Sequence, residues 1–270
     1  MESIKSNYYK TIIQYDGTDY FGFQWQKDIP SVQNDFNLSL AKIISGKFTT
    51  MSASRTDTGV HALDQVVKIT SEEQINLSTF VSELNQHLPS SIRVLKIEET
   101  DLAFRPNVSS KSKEYRYLFT NKLKMSPTEM RFVVNNPFKL NIPLMKECAS
   151  LIIGKHDFIN FCSAGSNVKT SVREIYSCEL SEVNPHSVLN NPILFPLPQK
   201  LVSCYQLRII GNGFLKQMVR HLMASLWLVG MGKLSKDEFL ALLNGGPKPQ
   251  RLWKVAGPRG LYLYRIEYET

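Results

Sequence analysis

The part of this sequence best equipped for chemistry is the string Ser54-Arg55-Thr56-Asp57-Thr58-Gly59-Val60-His61-Ala62. It sets a single carboxylate, Asp57, between an arginine and a glycine, with a histidine close behind. An ionised carboxylate can act as a nucleophile or as a base, and a neighbouring Arg55 favours the ionised form. Gly59 permits positive φ and a close backbone approach to a ligand. The flanking stretches, Phe48 to Ser54 and Gln65 to Thr70, are rich in β-branched residues and read as strands. Asp57 is therefore expected on a loop between two strands, where rigid scaffolds present reactive groups. Taken alone, an R-x-D-x-G string reads as a surface turn with a local Arg–Asp pair.

The elements that must position this loop follow from hydrophobic periodicity. Tyr8 to Tyr15 alternates as a strand and ends at the turn Asp16-Gly17-Thr18. Ser31 is placed to cap a helix carrying Val32, Phe36, Leu40 and Ile43 on one face. A second helix begins at Ser78, with Phe80, Val81, Leu84 and Leu88 on one face, and stops at Pro89. Strands follow at Ile92 to Ile97 and Glu114 to Thr120. This order is that of the split βαβ, ferredoxin-like unit. The second half echoes it. A helix opens at Asn141 and Pro143 and runs to about Gly154, and strands span Val172 to Leu180 and Leu201 to Ile210. A long helix covers Phe214 to Val229, Ser235 caps another over Lys236 to Leu243, and Gly260 to Tyr268 is the closing strand. The expectation is an α+β fold of two ferredoxin-like halves, 1–121 and 122–270, sharing a largely antiparallel mixed sheet with a cleft between them. The proline-bearing stretches Asn121 to Leu140 and Asn184 to Lys200 read as surface excursions.

Bulk properties narrow the function class. The 270 residues and 43% hydrophobic content suffice for one large core or two packed subdomains. No apolar run is long enough to suggest a membrane span. Met1 to Lys5 has no apolar core of a signal peptide. Cys148, Cys162, Cys178 and Cys204 match no zinc spacing and are expected as buried free thiols in a reducing cytosol. A net charge of +8 suits a polyanionic partner such as RNA. Lys111, Lys113, Arg116, Lys216 and Arg220 cluster near aromatic residues, notably Tyr115 and Tyr117, on which bases could stack. As isolated residues, these tyrosines read equally as sheet aromatics.

The string RTDTGVHA resembles the signature of the TruA family of tRNA pseudouridine synthases, and further segments extend the resemblance over nearly the whole chain. Tyr15 to Gln26 is similar to the family's YDGT-x-Y-x-G-x-Q-x-Q segment, and Lys113 to Tyr117 to its K-x-Y-x-Y strand. Gly211 to Arg220 is similar to its strand-to-helix segment, Gly154 to Phe158 and Thr170 to Arg173 to its G-x-H-D-F and T-x-R pieces, and Gly260 to Leu263 to its terminal G-L-x-L. Where the family commonly has F-H-A-R, this chain has Leu102-Ala103-Phe104-Arg105.

The resemblance implies an isomerase that converts uridine to pseudouridine in the anticodon stem-loop of tRNA, around positions 38 to 40. It implies no cofactor, a homodimer gripping one tRNA, and a cytoplasmic setting. Asp57 would be the catalytic carboxylate, Arg220 its guanidinium partner, and Tyr115 the ring that stacks on the target base. Leu261 would back the pocket and exclude water. Arg55, His61, Lys111, Lys113 and Lys216 are the further candidates for holding RNA, His61 at a phosphate or ribose. Two rival readings stand beside this one. A non-catalytic RNA-binding protein on the same scaffold would be expected to lack Asp57 or Arg220. A carboxylate-dependent nucleoside hydrolase would need a second positioned acid; Asp16 and Asp157 exist, but nothing in the sequence places either near Asp57.

Overall fold

The computed structural model describes residues 6–122, 124–163, 165, 169–191, 194–201, 203–247 and 254–269. Met1 to Lys5, read above, and Pro192 of the 184–200 stretch lie outside the described residues. The chain divides into two units, Met1–Lys111 with Leu263–Thr270, and Ser112–Tyr262. The boundary expected after residue 121 differs from this division, which gives most of one strand to the second unit and returns the end of the chain to the first.

In the first unit the order is β1 (Asn7–Tyr15), α1 (Val32–Leu40), β2 (Phe48–Ser52), β3 (His61–Ser71), α2 (Leu77–His87) and β4 (Ile92–Glu99). β1 pairs antiparallel with both β3 and β4, and β2 pairs antiparallel with β3. The spatial order β4-β1-β3-β2 is the one the split βαβ reading demands. α1 starts at Ser31, whose hydroxyl accepts from Asn34 N. α2 is capped by Asn76 rather than starting at Ser78. Tyr9, Ile13, Tyr15, Val67, Ile69, Phe36, Leu40, Phe80 and Leu84 form the core. Lys68 on β3 donates to the carbonyls of Asp101, Leu102 and Phe104, each at 2.9 Å, and so straps down the segment that leaves β4.

The second unit holds most of β5 (Ser110–Thr120), then α3 (Glu129–Phe132), β6 (Val134–Asn135), α4 (Ile142–Ser150), β7 (Gly154–Asp157) and β8 (Val172–Val183). After these come α5 (Pro185–Val188), β9 (Cys204–Gly211), α6 (Met218–Gly230) and α7 (Lys236–Leu243). The strand order is β5-β9-β8-β7, antiparallel throughout, with β6 parallel to β5. β5, β9 and β8 repeat the first-third-second order of the split βαβ unit. Trp227 of α6 meets the rings of Tyr117 and Phe119 edge-on, seating the helix on β5. α7 begins with a full capping box between Ser235 and Glu238. The final strand, β10, spans Leu261–Tyr268. The architecture is α+β; the pairs β1–β3, β1–β4, β2–β3, β5–β9, β7–β8 and β8–β9 are antiparallel and β5–β6 is parallel.

Candidate active site

The Asp57 loop joins β2 to β3 and is tied down residue by residue. At the end of β1, the Tyr15 hydroxyl lies 2.8 Å from Thr56 Oγ1. Gln65 on β3 brackets Ser54, donating to its carbonyl at 2.7 Å and accepting from its N–H at 3.2 Å. The neighbouring segment 17–30 adds two backbone bonds, Phe23 N to Thr56 O and Gly59 N to Tyr20 O, both 3.1 Å. Val60 N donates to Asp57 O and closes the turn, with Gly59 at φ +75°. Two glycines make the close approach possible. A Cβ at Gly17 would stand 1.9 Å from the Val60 carbonyl oxygen, and one at Gly22, where φ is +104°, 2.6 Å from the Thr56 oxygen. Asp57 itself is half-buried. The result is a carboxylate on a loop whose backbone has little room to move.

Two expectations about this loop are corrected. Arg55 is exposed and, among the described residues, makes no ion pair, so the local Arg–Asp pair is not formed. His61 has no exposed surface. Its Nδ1 lies 3.1 Å from Gly17 N and 3.2 Å from Asp16 Oδ1, and that oxygen also accepts from Thr18 N and Oγ1. A ring enclosed this way cannot meet a phosphate or ribose; it locks the start of β3 to the turn after β1.

The second unit assembles the other candidates. Tyr115 on β5 is nearly buried and meets Phe214 edge-on, ring centres 5.0 Å apart. Two residues on, the fully buried Tyr117 donates to Gly257 O at 2.7 Å. Burial pushes its phenol well above the ordinary tyrosine range, against the pull of the Arg220 charge. Arg220 stands in the first turn of α6 and is 8% exposed. Its Nε donates to Ala256 O at 2.8 Å, while Ala256 N donates back to the Arg220 carbonyl. Arg220 and Tyr117 thus hold one strap, Ala256-Gly257, from two sides, and the Nε bond fixes the guanidinium plane. Further along this strap, Gly260 passes so close to β5 that a Cβ would stand 2.4 Å from Leu118 O. Leu261 follows, buried.

The N-terminus of α6 is itself held unusually. Gln217 sits at φ +60°. The Ser163 hydroxyl donates to Gln217 Oε1 at 2.5 Å and lies 3.0 Å from His221 Nε2. With its one proton given to Gln217, the hydroxyl accepts from His221 Nε2. Of the basic candidates, Lys111 and Lys216 are exposed. Lys113 is only partly exposed, and burial pushes its ammonium down to about 8. Arg116 is engaged by Glu114 at 2.7 Å, a carboxylate that also takes a forked pair of bonds from Arg208.

Comparison with known proteins bears on what this arrangement is for. A family model described as tRNA pseudouridine synthase matches residues 11–107 and 148–269. Proteins named tRNA pseudouridine synthase A from Listeria innocua and Bacillus pumilus are 36% and 34% identical, each over 97% of this chain and 99% of their own length. The counterpart of that name in Thermoanaerobacter pseudethanolicus is 32% identical over 95% of this chain and 98% of its own. The chain belongs to the tRNA pseudouridine synthase family. Asp57, Arg220 and Leu261 fall inside the matched spans, whereas Lys111, Lys113 and Tyr115 lie between them.

In this synthase family member several supporting residues escaped the sequence reading. Gly257, Ser163 and Gln217 act through partners far away in the chain, as with the 140 positions separating Tyr117 from Gly257, and Tyr117, read above as a ring on which bases could stack, is fully buried. Gln65 carries a signal, being a polar residue between Leu63 and Val67 on one face of a strand.

Proposed function

We propose that this synthase isomerises uridines of the tRNA anticodon stem-loop, around positions 38 to 40, with Asp57 as the reacting carboxylate. In the reaction the bond from N1 of uracil to C1′ of ribose breaks, the ring turns, and a bond from C5 to C1′ forms. C5 loses a proton and N1 gains one, so the product is an isomer and no outside reactant is consumed. Asp57 acts first, at the ribose or at the uracil ring. The target base must leave its stack, at a cost of a few kcal/mol. Tyr115 holds the extruded ring by stacking, Arg220 orients the carboxylate through its forked guanidinium, and Leu261 keeps water from the freed glycosyl centre. Lys111 and Lys216 contribute phosphate contacts, and Arg55, exposed on the Asp57 loop, meets the RNA backbone there.

The observation that carries this reading is the immobilised Asp57 loop in a chain of this family. A carboxylate that must meet one atom of a bound nucleotide benefits from such pre-organisation. We further place the protein in the cytoplasm as a homodimer, both carried over from the family resemblance. Four free cysteines suit a reducing compartment, and no described helix is long and apolar enough to cross a membrane. The test is a pseudouridine map of tRNA from cells with and without this protein. Loss confined to positions 38 to 40 supports the proposal; loss elsewhere in tRNA, or none, overturns the site assignment.

A further inference from the structure

The segment 17–30 that clamps the Asp57 loop also does something the clamp does not need. It turns Tyr20 and Phe23 inward, 7% and 1% exposed, and leaves Phe21 and Trp25 outward, 55% and 54% exposed. These outward rings are not on a loose loop. Phe21 N donates to Pro30 O at 3.0 Å, Gln26 bridges Ile29, and Trp25 N donates to Gln33 Oε1 at 3.0 Å. Gln33 in turn donates to the carbonyl and hydroxyl of Thr50. The rings are thus presented to solvent by a braced backbone.

Their placement says what they meet. Phe21 follows Tyr20, whose carbonyl accepts from Gly59 N, two residues past Asp57. Trp25 is two residues beyond Phe23, whose N–H donates to the carbonyl just before Asp57. Two residues of chain span at most about 7 Å. Both rings therefore lie within a short reach of the loop that must touch the target uridine. Exposed Lys27 and Arg55 lie on the segment and the loop it clamps, alongside the exposed carboxylates of Asp19 and Asp28, within a net charge of +8. Aromatic faces interleaved with cations are the physical means by which single-stranded RNA is held without reading sequence. In the family's Y-D-G-T-x-Y-x-G-x-Q-x-Q segment, Phe21 and Trp25 occupy positions that the pattern leaves open.

We propose that Trp25 is a stacking platform for a base next to the target uridine, holding the strand while the target is extruded. This rests on the reading that a tRNA uridine is the substrate. The experiment is a cycle of two changes. Trp25→Ala and Trp25→Phe are assayed on an intact anticodon stem-loop and on versions carrying an abasic residue at each position flanking the target, with Kd and single-turnover rate both measured. Trp25→Ala should weaken binding to the intact RNA about tenfold, Trp25→Phe should restore most of it, and thermal midpoints should not move. At one flanking position, removal of the base should weaken the wild-type protein by the same factor and leave Trp25→Ala unaffected. Unchanged binding by Trp25→Ala, or losses that simply multiply at every position, would overturn the platform while leaving the enzyme assignment intact. So would a Trp25→Ala change in self-association without a change in RNA binding, which would make the patch a protein interface. A wild-type protein that forms no pseudouridine would overturn both.

Discussion

Gly17→Ala is the substitution by which the clamped loop is most sharply examined. The added methyl would stand 1.9 Å from the Val60 carbonyl oxygen and 2.6 Å from its carbon. A carbon–oxygen contact relaxes at about 3.3 Å, so one backbone must retreat by about 1.4 Å. Neither is free to do so cheaply. Gly17 N is bonded to His61 and Gly17 O accepts from Tyr20 N, while Val60 N is bonded to Asp57 O. The retreat is therefore passed to Asp57 through the turn it shares with Val60. A misplacement of about 1 Å at a reacting group can lower the rate about a hundredfold. The expected outcome is a fall of that order in single-turnover pseudouridine formation, with tRNA affinity within about threefold, because many phosphate contacts carry affinity. Stability should fall by about 1–3 kcal/mol, as overpacking does. Gly232→Ala is the control: φ is +68° there and an added Cβ meets nothing within 4 Å, so it should lose a little stability and no rate. A Gly17→Ala enzyme that is folded and within threefold of the wild-type rate would refute the claim that backbone clamping positions Asp57.

Arg220→Ala should lower the rate about a hundredfold by leaving the carboxylate unoriented, and Arg220→Lys should recover only part, because a point charge lacks the guanidinium fork; single-turnover rates of both variants check this, and full activity of either would return Arg220 to a structural role. Lys113 gives a pH signature. Its folded value is about 8, against about 10.4 unfolded, so between these values the unfolded chain binds the extra proton and stability rises with pH. The penalty for burying the charge is then complete below pH 8 and fades towards pH 10, and denaturant melts of Lys113→Met and wild type should differ more at pH 7 than at pH 9.5, an equal difference at both counting against the burial argument. Affinity for tRNA should fall linearly on a log–log plot against salt, and Lys111→Gln or Lys216→Gln should each lower the slope by about one on any tRNA, a tRNA-selective loss showing that the lysine reads more than backbone.

The elements that were legible in the sequence are those whose signals are local. α7 could be bounded from Ser235 and its apolar spacing because its cap is made by residues three apart. The long helix was placed from Phe214 but begins at Met218, since Gln217 takes φ +60° without any glycine to announce it. The helix expected to reach Gly154 ends at Ser150, and Gly154, at φ +114°, opens strand β7 instead. β3 starts four residues earlier than the Gln65 expectation, because His61 pairs with the Asp16-Gly17 turn, a contact across the fold. The 121–140 excursion conceals α3 and β6 for the same reason, since β6 exists only by lying against β5. The strings that carry Asp57, Arg220, Tyr115 and Leu261 stand out because each is contiguous in the sequence, and the roles proposed for these residues rest on the family resemblance. The enclosure of His61, the partial burial of Lys113 and the exposure of Arg55 were not legible, because burial is decided by what distant segments cover.

The central claim, that Asp57 is the group that makes pseudouridine, is tested most directly by Asp57→Asn assayed on unmodified tRNA, with pseudouridine content and tRNA Kd measured on the same preparations. The carboxamide keeps the shape and removes the ionisable group. The account predicts no detectable pseudouridine with tRNA affinity within a few fold of wild type, whereas product formation within tenfold of the wild-type rate would contradict it.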